Sequence, residues 1–374
     1  MKTFKKLSLM MLAILLIAAL AVGCGKQDAE TPDSEGQNDQ KEPTKVGFIY
    51  VGPIGDAGYT YTHDLGAEYM KKELGDSVEL IKAESVSENP ADAERVLNQM
   101  VSQGCKVIFA TSFGYMDSVI KVAEQNPDVV FLHCSGYKTA KNAGTYFGQI
   151  EQPRYLSGIA AGKMTKANTI GYVAAFPIPE CIRGINAFTM GALSVNPDVK
   201  VKVVWTNTWY DPAKEKDAAE SLLQDGVDVI AMHQDTPGPM QAAEEAGAYA
   251  VSYNSNMTQF APNAVLTGPI WNWGPYYTKT VKAVQEGTWQ TEEYWGSMAE
   301  GIVDLAPYAD FLPDDVKQLI DSKKADIISE ELNIWTGPIK DQTGAVKVPE
   351  GTTMTRDEIL NMDWFVQGVE GSPK

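Results

Sequence analysis

At 374 residues the chain is too long for one ordinary core and suggests two domains. It carries 49 Asp and Glu against 31 Lys and Arg, a net charge of −18, which argues against phosphate backbones and therefore against nucleic acid as a partner. Four cysteines are too few for a disulfide framework, and 44% hydrophobic with 21% charged residues is ordinary globular composition.

The first stretch sets the expected compartment. Lys2, Lys5 and Lys6 precede an apolar run from Leu7 to Val22, which ends in Ala21, Val22, Gly23 and Cys24. A charged start, an apolar middle and small residues are the layout of a secretory signal, with a permanent span as the alternative. The small residues leading into Cys24 resemble the lipobox of bacterial lipoproteins, although Ala21 stands where that motif usually has Leu. The resemblance implies cleavage after residue 23 and a lipid on the Cys24 thiol. Residues 24–44 hold one alanine and no larger apolar side chain beyond the cysteine, too little to order themselves, and read as a tether.

Strand and helix patterns then alternate. A β-branched and aromatic run from Val46 to Val51 predicts a buried strand, followed by a turn through Gly52, Pro53 and Gly55. Asp56 is placed to accept from the free N–H groups of a starting helix, whose first turns carry Tyr59, Thr60, Tyr61, Thr62 and His63. Strands are expected at 78–83, 107–110 and 129–133, with helices at 89–104 and 116–125. The joint around Phe113 again puts an aromatic beside hydroxyls at a strand end. Such alternation predicts a parallel sheet. A helix over 151–166 leads out of this first lobe, 45–150, which part of 275–335 is expected to complete.

A second lobe, 151–270, repeats the architecture. Strands are predicted from Thr169, at 199–205, 227–232, 248–253 and 264–267, and helices at 181–193, 213–224 and 239–247. The polar and aromatic residues again gather at strand ends: Trp209 and Asp211, His233 to Asp235, Asn254 to Asn256, Trp271 to Trp273. In open α/β sheets that end is where ligands bind. Two such lobes suggest a cleft that clamps a flat polar ligand. Cys105, Cys134 and Cys181 are expected to be buried free thiols, since the first two fall at opposite ends of adjacent strands.

Motifs for chemistry are scarce. Gly52, Gly55 and Gly58 have GxxGxxG spacing instead of the dinucleotide GxGxxG, and no phosphate loop, G-x-S-x-G elbow, HExxH or CxxC pair occurs. No metal or cofactor is expected. His63, His133 and His233 read as structural or ligand-contacting groups, not bases.

GDAGYTYTHDLG near the first turn, PRYLSGIAAGKM from Pro153 and the segment from Asn207 to Asp235 resemble the basic membrane protein family, substrate-binding lipoproteins of purine and nucleoside ABC transporters. The tail over 335–374, with a hairpin turning at Thr343 and Gly344 and an amphipathic segment at Trp364 and Phe365, strengthens the resemblance. It implies two doubly wound lobes of the ribose-binding, type I periplasmic kind, closing on a base held between two rings. By motif those rings fall on Tyr59 and Trp209. The family's ribose-contacting acid falls on Asn256 and its lysine on Trp271, a change that removes the polar lining a ribose needs and implies a free purine base such as adenine. Tyr59, Thr60, Phe113, Trp209, Asp235, Asn254, Asn256 and Trp271 are the expected ligand contacts. An ABC permease is the expected partner, with the membrane reached through lipid on Cys24. A purine nucleoside binder, a ligand-sensing lipoprotein and a secreted nucleoside hydrolase are the alternatives; the last would need acids or a metal clustered in the cleft.

Overall fold

The computed structural model describes residues 42–374. The proposed signal, Cys24 and nearly all of the tether lie outside the described residues. The first lobe is built on β1 (Thr44–Ile49), β2 (Val78–Ala83), β3 (Val107–Ala110), β4 (Val130–Cys134) and β5 (Ala143–Gly148). Its helices are α1 (Tyr59–Leu74), α2 (Pro90–Ser102) and α3 (Met116–Gln125). The chain crosses through α4 (Glu151–Met164) into β6 (Thr169–Ala174), β7 (Lys200–Trp205), β8 (Val229–His233), β9 (Tyr249–Val251) and β10 (Val265–Thr267), alternating with α5 (Pro179–Leu193), α6 (Pro212–Gln224) and α7 (Gly238–Glu245). It returns through β11 (Pro269–Trp271) to α8 (Gly274–Gln285) and β12 (Glu293–Gly296), then leaves by β13 (Val303–Leu305), antiparallel to β11. The remainder holds α9 (Asp314–Ile328), β14 (Ile339–Lys340), β15 (Val346–Val348), α10 (Arg356–Leu360) and β16 (Val369–Glu370).

Two six-stranded sheets result, ordered β12-β5-β4-β3-β1-β2 and β10-β9-β8-β6-β7-β16, and every pairing within them is parallel. This is the doubly wound, two-lobed fold expected. Strand β1 lies between β3 and the edge strand β2, and Val46, Phe48 and Ile49 are wholly buried, as a strand covered on both faces requires. Phe48 stacks on Phe109 at 5.0 Å and meets Tyr277 of α8 edge-on at 5.1 Å, which seals the returning helix to the first lobe. Helix α2 starts where Asn89 accepts from the Asp92 amide at 3.0 Å, and it buries Ala93, Val96, Leu97 and Met100.

The periodicity missed β5 and β12. Strand β5 contains Gly144 and Gly148, residues that weaken a strand signal. Gly144 is required by packing, because a Cβ there would sit 2.9 Å from the Glu292 carbonyl oxygen beside β12. The hairpin β14–β15 spans the turn at Thr343 and Gly344, and β16 adds the tail to the edge of the second sheet beside β7. Cys105, Cys134 and Cys181 are buried free thiols, as read.

Candidate functional site

The carboxyl ends of both sheets face one cavity between the lobes. The first lobe contributes Val51, Tyr59, Ser112, Phe113 and Ser135; the second contributes Glu180, Trp209, His233, Asp235 and Tyr253. The turn after β1 works as predicted. Asp56 accepts from the Gly58 and Tyr61 amides through Oδ1 at 2.8 and 2.9 Å, and from the Thr60 amide through Oδ2 at 2.8 Å. These bonds fix the first turn of α1 and with it the Tyr59 ring. Burial still pushes the Asp56 carboxyl up to about 6, against the pull of the three amides.

The lobes touch along one edge of this space. A Cβ on Gly58 would lie 2.1 Å from the Asp235 carbonyl oxygen, and the Ser255 hydroxyl donates to the Ala57 carbonyl at 2.5 Å. The cleft is closed. Burial, then the Asp56 and Glu215 carboxylates, hold the Asp235 carboxyl well above its ordinary value.

Of the expected contacts, Tyr59, Phe113, Trp209 and Asp235 line the cavity, and the other four lie elsewhere. Thr60 is fully buried in the turn, where its hydroxyl accepts from the Gly52 amide at 3.2 Å. Asn256 is exposed; its Oδ1 accepts from the Thr258 amide and hydroxyl at 3.1 and 2.7 Å, so it shapes its own loop. Trp271 donates through its indole to Asn254 Oδ1 at 3.0 Å, and the Asn254 amide donates to Asp235 Oδ1 at 3.2 Å. Asn254 and Trp271 therefore stand behind Asp235 and orient it. The same Trp271 stacks on Trp273 at 4.4 Å, Trp273 on His63 at 4.5 Å, and His63 meets Tyr59 edge-on at 4.4 Å. Trp271 in turn meets Tyr253 at 6.5 Å, so an aromatic path joins the cavity residue Tyr59 of one lobe to the cavity residue Tyr253 of the other.

Glu180 was not among the sequence candidates. It sits in the first turn of α5, just past the end of β6, the position in the second lobe that matches the turn after β1 in the first. That equivalence was the signal available for it; Ser112, Ser135, His233 and Tyr253 likewise follow or end strands. Burial opposes the Glu180 charge, but His233, Arg183 and Ser135 outweigh it and hold the carboxyl below its usual range. His233 Nε2 lies 3.5 Å from that carboxylate, while burial, followed by the Arg154 charge, pushes the imidazole down to about 4. Arg154 itself is buried with its guanidinium carbon 3.8 Å over the Tyr253 ring. The Phe113 loop is held by Glu88, which accepts from the Ser112 hydroxyl at 2.5 Å and the Gly114 amide at 3.0 Å. Among the described residues no group of His, Cys, Asp and Glu is arranged to hold a metal ion, and no helix is long and apolar enough to cross a membrane.

A closed cleft between two parallel-sheet lobes, lined by rings and a few polar groups, is the site of a solute-binding protein of the type I periplasmic kind. The chain belongs to the Bmp family, described as "ABC transporter substrate-binding protein PnrA-like", which matches residues 43–336. It is 46% identical to a purine-binding protein of Brucella abortus over 88% of this chain and 94% of that protein. It is 40% identical to a putative ABC transporter glucose-binding protein of Haloferax volcanii, over 92% of this chain and 84% of the relative. A solved ABC transporter solute-binding protein of Aeropyrum pernix shares the fold, with a TM-score of 0.69 over 85% of this chain and 95% of its own, at 21% identity.

Proposed function

We propose that this protein captures a free purine base in the closed cleft and delivers it to an ABC permease outside the cytoplasm. The observation that carries the reading is the cavity itself. Tyr59 and Phe113 approach from one lobe, Trp209 and Tyr253 from the other, with Glu180, His233 and Asp235 between them. Flat faces suit a heteroaromatic ring, and one stacked face is worth about 1–3 kcal/mol. A glucose ring, suggested by the name of the Haloferax relative, presents five hydroxyls that each need a partner once water has left. Several polar atoms here are already committed: Ser112 to Glu88, and Asp235 Oδ1 to Asn254.

The protein binds without converting its ligand. Native mass spectrometry of the purified protein against a mixture of adenine, hypoxanthine, their nucleosides and glucose tests this reading. A purine base retained intact supports it; retained glucose, or a nucleoside split into base and sugar, overturns it. The anchor is lipid on Cys24. Cys24→Ser is expected to move the protein from the membrane fraction to the soluble one without altering binding, and persistence in the membrane after an alkaline wash refutes the anchor.

A further inference from the structure

We propose that closing the cleft draws a proton from solvent onto the Asp56–Asp235 pair, so that ligand capture is linked to pH. This rests on the capture reading above: a ligand enters only when the lobes part, and the cleft then shuts over it. The two carboxyls flank the seam between the lobes. Asp56 belongs to the first lobe and accepts from the Gly58 amide at 2.8 Å. A Cβ on that same glycine would lie 2.9 Å from the Asp235 Cα of the second lobe. One glycine therefore stands between an acid of each lobe, and the bond from Ser255 to the Ala57 carbonyl holds them there. Asp56 is 2% exposed and Asp235 4%, so water screens neither.

The neighbours supply no compensating charge. Glu215 of α6 and Glu180 of α5 add to the field of Asp56 at Asp235. Among the described residues no ion pair reaches Asp56 or Asp235: Lys214 pairs with Asp211, and Arg183 with Glu151. Arg154 of α4 is engaged with the Tyr172 hydroxyl and the Met232 carbonyl. His233, at the end of β8, is kept neutral by burial and then by Arg154. Two buried carboxylates without a cation do not both stay ionised, and one takes a proton. The pair divides unequally. Asp56 accepts three backbone amides, which favour its charge, whereas Asp235 receives only the Asn254 amide at 3.2 Å. The proton therefore settles on Asp235, whose carboxyl burial and the Asp56 charge hold well above its ordinary value. When the lobes part, Asp235 regains water and loses Asp56, so the proton leaves. Protons thus favour closure, and that contribution is lost as pH rises through the closed-form value. By reciprocity the same protons tighten ligand binding. Burying His233 acts in the opposite sense, because it disfavours the imidazolium.

The test is calorimetric titration of the full-length protein, wild type and Asp235→Asn, with adenine at pH 7 in phosphate and in Tris. The two buffers differ in ionisation heat, so the difference in binding heat counts the protons exchanged. Adenine itself stays neutral there. Wild type should take up at least about 0.3 proton more than Asp235→Asn, a comparison that removes the contribution of His233. Wild-type affinity relative to the variant should fall about threefold or more from pH 6 to pH 8. At pH 8 the variant, an isostere of the protonated acid, should bind adenine at least as tightly as wild type. Equal proton counts with a constant affinity ratio overturn the proposal. So does a variant that binds more weakly than wild type at pH 8, which would assign the ionised carboxylate to the ligand. Should Asp235→Asn fold poorly, wild type still decides: no net uptake at any pH between 6 and 8 overturns the proposal. Each of these failures leaves purine capture intact, whereas no saturable binding of adenine overturns both.

Discussion

Gly58 approaches the opposite lobe so closely that a Cβ would sit 2.1 Å from the Asp235 carbonyl oxygen. Gly58→Ala is therefore expected to hold the cleft ajar. Ligand affinity should fall by about tenfold or more, with the ligand-induced rise in Tm shrinking accordingly. The ligand-free Tm should move far less, because the clash exists only when the lobes meet. An undiminished ligand-induced shift would show that this edge does not govern closure. The tryptophans divide in a similar way. Trp209 lines the cavity half-buried, so Trp209→Ala should cost about 1–3 kcal/mol in binding and leave folding largely intact. Trp271 is 6% exposed and packed on Trp273 and Phe147, so Trp271→Ala should cost about 3–5 kcal/mol in stability, read by denaturant unfolding. From sequence both stood at strand ends beside turn residues and looked alike. Only the packing of the returning chain, set by contacts far apart in sequence, separates a cavity-lining ring from a core ring.

Helix α6 shows what an element contributes to the site. Its N-cap Asp211 accepts from the Lys214 amide at 3.2 Å, and Glu215 reaches back to the Asp211 amide at 2.9 Å. The same Glu215 accepts from the Thr236 amide at 2.9 Å, tying the Trp209 loop to the loop that carries His233 and Asp235. Burial pushes the Glu215 carboxyl from 4.5 up to about 7, with the Asp211 charge adding to it. Between those values the folded protein holds a proton that the unfolded chain has released. The contribution is complete below about 4.5 and is lost as pH rises through about 7. Thermal or denaturant unfolding from pH 5 to pH 8 should thus show wild-type stability falling relative to Glu215→Gln, whatever that variant's absolute stability; a difference that stays constant with pH would contradict the assignment. Period-3.6 patterns located α6 to within a residue, and the capping signal at Asp56 marked the turn into α1, which starts at Tyr59. Strands β5 and β12 escaped because glycine at close backbone approaches erases the apolar pattern. Glu180 escaped because a first-turn acid after a proline is ordinary helix chemistry until its strand is seen to end in the cleft.

For the whole molecule, function follows from where strands end and how the lobes meet. Each lobe offers half a lining, and neither half encloses a ligand alone. The two-lobed parallel architecture was legible from the alternation of strand and helix patterns, because each βα unit announces itself locally. The cleft's contents were legible only as a set of candidates: Tyr59, Phe113, Trp209 and Asp235 meet there, whereas Asn254 and Trp271 support Asp235 from behind and Asn256 faces solvent. The proposal of a free base accordingly draws on the ring-lined cleft and its few uncommitted polar groups, not on Asn256. Calorimetric titration of the ligand-stripped wild-type protein with adenine, adenosine and glucose tests the central claim most directly. The account predicts saturable binding of adenine, adenosine weaker by at least about tenfold, and no heat from glucose beyond dilution. Saturable binding of glucose with none of adenine would contradict it.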